Sequence, residues 1–292
     1  MNGTGTITVT NYGTIANPAT YSGGLYGDDN AWGVYARSYG GDINITNAGG
    51  GVMYIYADEE NGTGIEAVTG GSGDIRIVNN GGIGVFGNWN AYGIVAEAQD
   101  GDITVNNGGL IDVYADSDYA YGVQATGYGD ITVGNTGAII AVADSDGAVG
   151  VFAEASGYGD VVVNNVGSQD SYGDFTGGVI QVGSYGWNAG IEAHAQYGNV
   201  TVGNSGLVEA YSWADDSNGV FATSATGDVG VTNAAAGVIL AYSNADYGTA
   251  WGIDARSLGG GASATNQGVV VAEAQYAFGI NVYTYGSENA TA

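Results

Sequence analysis

The sequence predicts an all-β chain, a right-handed parallel β-helix (β-solenoid) with three strands per coil, about nine coils and an Asn ladder. One asparagine, Asn11, returns as Asn47, Asn79, Asn107, Asn135, Asn165, Asn204, Asn233 and Asn266, at intervals of 28 to 39 residues. That is the period range of stacked repeats. Each interval holds short runs of alternating apolar and polar residues bounded by Gly, Asn, Asp or Ser, the pattern of strands separated by turns. The 56 glycines fall in register with 45 per cent hydrophobic residues, so the composition reads as packed order and not as disorder.

The unit that begins at Gly101 shows each element in turn. Its first run, Ile103-Thr104-Val105, stops at Asn107-Gly108; the second, Ile111-Asp112-Val113-Tyr114-Ala115, stops at Asp116-Ser117-Asp118. The third, Gly122-Val123-Gln124-Ala125, leads through Tyr128 to the next Gly129-Asp130. Laid over one another, the units give columns of like residues. Ile7, Ile43, Ile75, Ile103, Ile131, Val161, Val200, Val229 and Ala262 form the first-strand column. On the third strand a glycine precedes an aliphatic residue at Gly33, Gly64, Gly93, Gly122, Gly150, Gly190, Gly219, Gly252 and Gly279. Alanines three residues after these glycines, such as Ala96 and Ala125, imply a narrow core.

Other repeat folds fit less well. A helical repeat would show a 3.6-residue period. Propeller blades need longer repeats than this unit. Stacked coils place neighbouring strands about 4.8 Å apart, so nine coils make a rod roughly 40 Å long. In that geometry the recurring asparagine sits at a corner, tolerates left-handed backbone, and passes a hydrogen bond from amide to amide. A glycine two places on (Gly13, Gly49, Gly81, Gly137, Gly167, Gly206, Gly268) is expected to complete the turn. The repeats fill residues 1–292 as one solenoid domain, with insertions at 17–30 and 168–178.

Composition narrows the function classes. Lysine is absent, and Arg37, Arg76 and Arg256 face thirty acidic residues, for a net charge of −27. Nucleic acid and anionic membrane are therefore disfavoured partners. No apolar run is long enough for a membrane-spanning helix, and the start, Met1-Asn2-Gly3-Thr4, lacks the basic character of a signal peptide. There is no cysteine from which to read a redox compartment.

Gly129-Asp130-Ile131-Thr132-Val133-Gly134-Asn135-Thr136-Gly137, followed by Val149-Gly150-Val151-Phe152-Ala153, resembles the repeat in the passenger regions of bacterial autotransporters and related large surface adhesins. The resemblance covers nearly the whole chain. It implies a β-helix, export to the extracellular side or cell surface, and a shaft-like role.

Candidate chemistry is sparse, and no catalytic, cofactor-binding or metal-ligating residue is assigned. Acidic residues gather after the second strand, among them Asp58, Asp116, Asp144, Asp215 and Asp246. Stacked carboxylates of this kind would repel, and Ca²⁺ with its preference for oxygen ligands is one remedy; a solvated acidic edge is the other. Tyr56, Phe86, Tyr114, Tyr211 and Tyr242 are expected to face outward on the second strand, and Trp32, Tyr92, Tyr121, Trp251 and Phe278 to precede the third-strand glycine. Such columns either bind sugar rings or pack upon themselves. His194, after Glu192 and near Trp187, is expected to be a surface histidine. Thr8, Thr104, Thr132 and Thr201 share an outward column interrupted by Arg76, Val162 and Gly230, too irregular for the regular array ice binding needs.

The function expected from these residues is that of a non-enzymatic extracellular scaffold, an adhesin stalk or a fibre subunit that self-associates end to end. Binding of cell-surface glycans, or hydrolysis of a polysaccharide by paired carboxylates, is the alternative, and ice binding through the threonine column is a remote one.

Overall fold

A computed structural model describes residues 5–16, 30–285 and 290–292. The first expected insertion lies outside the described residues, apart from Asn30. In the fourth coil the three strands are Ile103–Asn107, Leu110–Ala115 and Ala120–Gly127, one for each of three sheets. Among the described residues the first sheet has ten strands and the others nine each, and each strand inside a sheet lies between its counterparts from the preceding and following coils. Pairing between them is parallel throughout, so the chain is a parallel β-solenoid of about nine coils. A tenth strand of the first sheet, Ala290–Thr291, follows the ninth coil.

Register matches the columns read from the sequence. Ile103 pairs with Ile75 on one side and Ile131 on the other, while Asn107 pairs with Asn79 and Asn135. Strands run longer than the alternating runs because the ladder continues into the polar residues that flank them. The third strand thus begins at Ala120 and ends at Gly127. Inward positions of one coil, Ile103, Val105, Ile111, Val113, Ala115, Val123 and Ala125, are essentially without solvent exposure. Alternation of period two is what puts all of them on one face.

The asparagines form the expected ladder, with a different backbone from the expected one. Among the described residues no residue other than glycine has a positive φ, so the asparagines are extended. Asn107 occupies the fifth position of a strand buried at its first, third and fifth residues, and its amide therefore points into the core. An inward amide has to find partners there. Each Nδ2 donates to the Oδ1 of the asparagine in the following coil, at 2.8 to 2.9 Å, from Asn11 through to Asn266. The ladder is polar: every rung donates in the same direction.

The turn glycines also need correction. Gly49 and Gly167 do not occupy the column of Gly81 and Gly137. The positions whose carbonyls accept from the next coil's second strand are Gly51 and Gly178, as shown by Gly82 N to Gly51 O at 3.0 Å and Leu207 N to Gly178 O at 2.9 Å. Extra residues in these coils shift the glycine later in sequence. Close approach, not left-handed backbone, demands glycine over most of this column: a Cβ on Gly81 would lie 2.0 Å from the Gly51 carbonyl oxygen. Gly178 is the exception, with φ of 61° where the second insertion rejoins the coil.

That insertion leaves the first sheet after Asn165 and turns back on itself. Gln169 and Phe175 form an isolated antiparallel bridge, and the Ser168 and Thr176 hydroxyls lie 2.8 Å apart. Tyr172 at its tip is 90 per cent exposed, which marks the loop as an excursion from the rod.

Candidate functional site

Outward positions of the third sheet carry most of the chemically versatile side chains. Glu154, His194, Thr223 and Arg256 come from successive coils and pair in register as one column. Phe152, Glu192, Phe221 and Asp254 form the neighbouring column. Strand alternation sends both outward, because Ala153, Ala193, Ala222 and Ala255 between them point into the core.

His194 is not a free surface histidine. Its side chain is 22 per cent exposed, its Nε2 lies 2.7 Å from Glu192 Oε1 and its Nδ1 lies 2.6 Å from Thr223 Oγ1. The carboxylate can only accept, so in the neutral ring Nε2 carries the hydrogen and Nδ1 accepts the Thr223 hydroxyl. The rings against it are Phe152 and Phe221, at 5.8 and 5.3 Å between centroids, and not Trp187. Asp254, buried to 1 per cent exposure, takes both Nε and Nη2 of Arg256 and the amide of Asn281. A buried carboxylate needs that bidentate partner to offset its desolvation. Glu154, His194, Gln196, Thr223, Arg256 and Leu258 line a groove of about 410 Å³ on this face.

The aromatic columns fall where alternation puts them. On the second sheet, Tyr56, Phe86 and Tyr114 stack at 4.6 and 5.5 Å with nearly parallel planes, and Val142 and Gly183 then break the column before Tyr211. On the third, Tyr92 stacks on Tyr121 at 5.6 Å and Trp251 on Phe278 at 6.1 Å. Within these columns the rings pack on one another across the coil spacing, in the offset geometry aromatic pairs favour.

Four phenols in these columns resist ionisation, Tyr92 and Tyr242 chiefly through burial. Tyr114 is pushed up to about 12 chiefly because its hydroxyl donates to the Asp144 carboxylate. Burial, followed by the charge of Glu192, raises Tyr121 to about 12. Unfolding returns both to about 10, so between about pH 10 and pH 12 the unfolded chain binds fewer protons and stability falls as pH rises. A spectrophotometric titration of tyrosinate should therefore show a late-ionising fraction that shrinks in the double variant Tyr114→Phe and Tyr121→Phe, with Tyr92 and Tyr242 supplying the remainder. Ionisation of all tyrosines in a single step near the ordinary value would contradict these contacts.

Asp116 and Asp144 do lie on successive rungs, as their positions just after Ala115 and Ala143 require. Tyr114 donates to Asp144, which gives that carboxylate a partner from within the protein. Among the described residues no group of three or more His, Cys, Asp or Glu side chains is placed to hold a metal ion.

A second ladder carries no assigned role in the sequence reading. Oδ1 of Asp42, Asp74, Asp102 and Asp130 accepts the backbone N–H of the aspartate one coil on, at 2.8 to 3.1 Å. Asp160 and Asp228 continue it through Asn199 to Gly261. The Gly-Asp pair that opens six of the nine units was the available signal. Its aspartate satisfies a turn N–H that no strand partner reaches. The threonine column is as expected, with Asn44 and Ser263 as further interruptions.

The chain matches no family model, no curated protein and no solved structure. Among the described residues, no helix is long and apolar enough to cross a membrane.

Proposed function

We propose that this β-solenoid is a non-enzymatic structural protein of the cell exterior, a surface scaffold or stalk, or the subunit of a head-to-tail fibre. The observation that carries the reading is the use of polar side chains for cohesion between coils. The asparagine column runs from the first coil to the ninth and donates to each following coil, while the aspartate column, with Asn199 in it, runs from the second coil to the ninth and accepts from each following coil. A one-way ladder can be extended by any coil of the same register. At the two ends of the described stack, Ile7, Val9 and Ile15, and Val270, Ile280 and Val282, are only partly buried members of the apolar columns. Covering them with matching coils would remove apolar surface from water and continue the three sheets. A heterologous contact of this kind propagates. The charge of −27 opposes side-by-side contact, so association should increase when salt screens it.

Sedimentation and electron micrographs at low and high salt test the proposal. Filaments with an axial repeat of roughly 40 Å support the fibre reading, and monodisperse rods at every salt concentration support the stalk. Globular particles without an elongated axis would overturn both.

A further inference from the structure

We propose that the outer face of the third sheet binds a neutral, extended polysaccharide along the solenoid axis, with the tyrosines at its corner as the stacking platform. Tyr128, Tyr158 and Tyr197 follow the third strands of the fourth, fifth and sixth coils and are 57, 86 and 47 per cent exposed. Tyr158 and Tyr197 stack at 5.0 Å with planes 25° apart, so their contact is with each other at the surface of the rod. Contiguous exposed aromatic surface of this kind marks an interaction site more often than single exposed rings do. Gln196, the chain neighbour of Tyr197, lines the groove beside them, and the polar column Glu154, His194, Thr223 and Arg256 continues it over the fifth to eighth coils.

Two parallel rows result, one of rings and one of hydrogen-bonding side chains, and each advances by one residue per coil. The advance is about 4.8 Å, close to the length of one hexose in an extended chain. A hexose presents an apolar C–H face to an aromatic ring and hydroxyls at its edges. The fourth to sixth coils therefore offer rings for a sugar face to stack on, and Glu154, Gln196 and Thr223 offer groups for its hydroxyls, His194 and Arg256 being held by Glu192, Thr223 and Asp254. A groove of about 410 Å³ lies within the range of ligand sites.

Charge selects among glycans. Glu154 lines the groove and Glu192 stands beside it, while the Arg256 guanidinium is chelated by Asp254, so no unpaired cation there awaits a uronate or sulfate. The overall charge of −27 adds repulsion. The ligand is accordingly a neutral chain of linked hexoses. This site is independent of the scaffold reading, since it needs neither export nor filament formation.

Isothermal titration of the intact protein with cellohexaose, fully N-acetylated chitohexaose and mannohexaose tests it, with hexagalacturonate as the anionic comparison. At least one neutral hexaose should bind, and hexagalacturonate should not. Replacing Tyr158 and Tyr197 together with Ala should weaken that binding about tenfold or more, from the two lost stacking contacts. Gln196→Ala should weaken it by a smaller factor, and Tyr247→Ala, at an exposed tyrosine outside the groove, should leave it unchanged. Circular dichroism of the variants guards against loss of fold, which at such exposed rings is not expected. No binding of any neutral hexaose, equal binding of hexagalacturonate, or binding indifferent to Tyr158 and Tyr197 would overturn the proposal, while rods or filaments in micrographs would be unaffected by that result.

Discussion

Gly122→Ala lowers the thermal stability of this protein, whereas Gly230→Ala, an identical change of one methyl group, leaves it the same or raises it. At Gly122 an added Cβ would lie 2.2 Å from Ile139 Cγ2 and 2.5 Å from the Gly150 carbonyl oxygen. Neither neighbour can yield cheaply. Ile139 is a fully buried β-branched side chain, stiff at χ1, and Gly150 is backbone of the adjacent coil facing the same obstruction from Ile180. Overpacking of this kind costs about 1–3 kcal/mol and more where backbone must move. At Gly230 the nearest atom to a new Cβ is Ser263 Oγ at 3.8 Å, an ordinary contact. There the alanine restricts the unfolded chain and gains about 0.4–1 kcal/mol. In a stack where each coil touches only its neighbours, the damage at Gly122 also weakens the coupling between the two halves of the rod. Calorimetric melting of both variants is the measurement. Equal melting temperatures would mean that the second and third sheets do not pack as closely at Gly122 as its contacts with Ile139 and Gly150 require.

This glycine column shows how much of the fold could be read directly. The recurrence of Gly followed by an aliphatic residue was visible, and so were the inward alanines, because stacking like on like turns a spatial contact into a sequence period. The reason for the glycine was not legible in one coil. Gly122 makes room for Ile139, which belongs to the coil after its own, and such a contact has no signature at short range. The backbone of Asn135 was misread for a related reason. Asparagine at a corner allows left-handed φ, but here the residue is the last inward position of a strand, so burial of its amide decides its role. Gly51 and Gly178 escaped because insertions displaced them from the common spacing. At the third-sheet groove, the sequence placed His194 beside Glu192 but could not show Thr223 as its second partner, 29 residues on. Register alone brings those two together. The tyrosines of the corner were in view in the sequence, since Tyr128, Tyr158 and Tyr197 each directly precede the glycine that opens the next unit, but their exposure and the contact between Tyr158 and Tyr197 are visible only once the coils are stacked.

Asn135→Leu removes the middle of the amide ladder and should be the most destabilising change of similar volume in the chain. The Asn135 amide accepts from Asn107 Nδ2 at 2.8 Å and donates to Asn165 Oδ1 at 2.8 Å and to the Val179 carbonyl at 3.2 Å. Leucine fills the space but leaves the Asn165 oxygen without its donor and the Asn107 amide without that acceptor, in a position 1 per cent exposed. Each stranded group costs about 1–3 kcal/mol. Asn107 keeps weaker bonds to Gly109 and Ala138, so the total should fall towards about 2–5 kcal/mol and not at the sum of the upper limits. Asn135→Asp separates lost hydrogen bonding from lost packing. An ionised carboxylate there faces the Asn165 oxygen with no hydrogen to give, while the protonated acid can donate to it. Burial and this repulsion raise the carboxyl pKa in the folded state above the unfolded value of about 3.9. The aspartate variant is therefore stabilised, relative to its own behaviour at neutral pH, as pH falls towards the unfolded value, and loses that stabilisation as pH rises through the folded pKa. The leucine variant has no such dependence at this site. Denaturant melts of both across that range, each referenced to the parent protein, should give a sloping profile for the aspartate variant and a flat one for the leucine variant; parallel pH profiles would show that residue 135 contributes volume and nothing more.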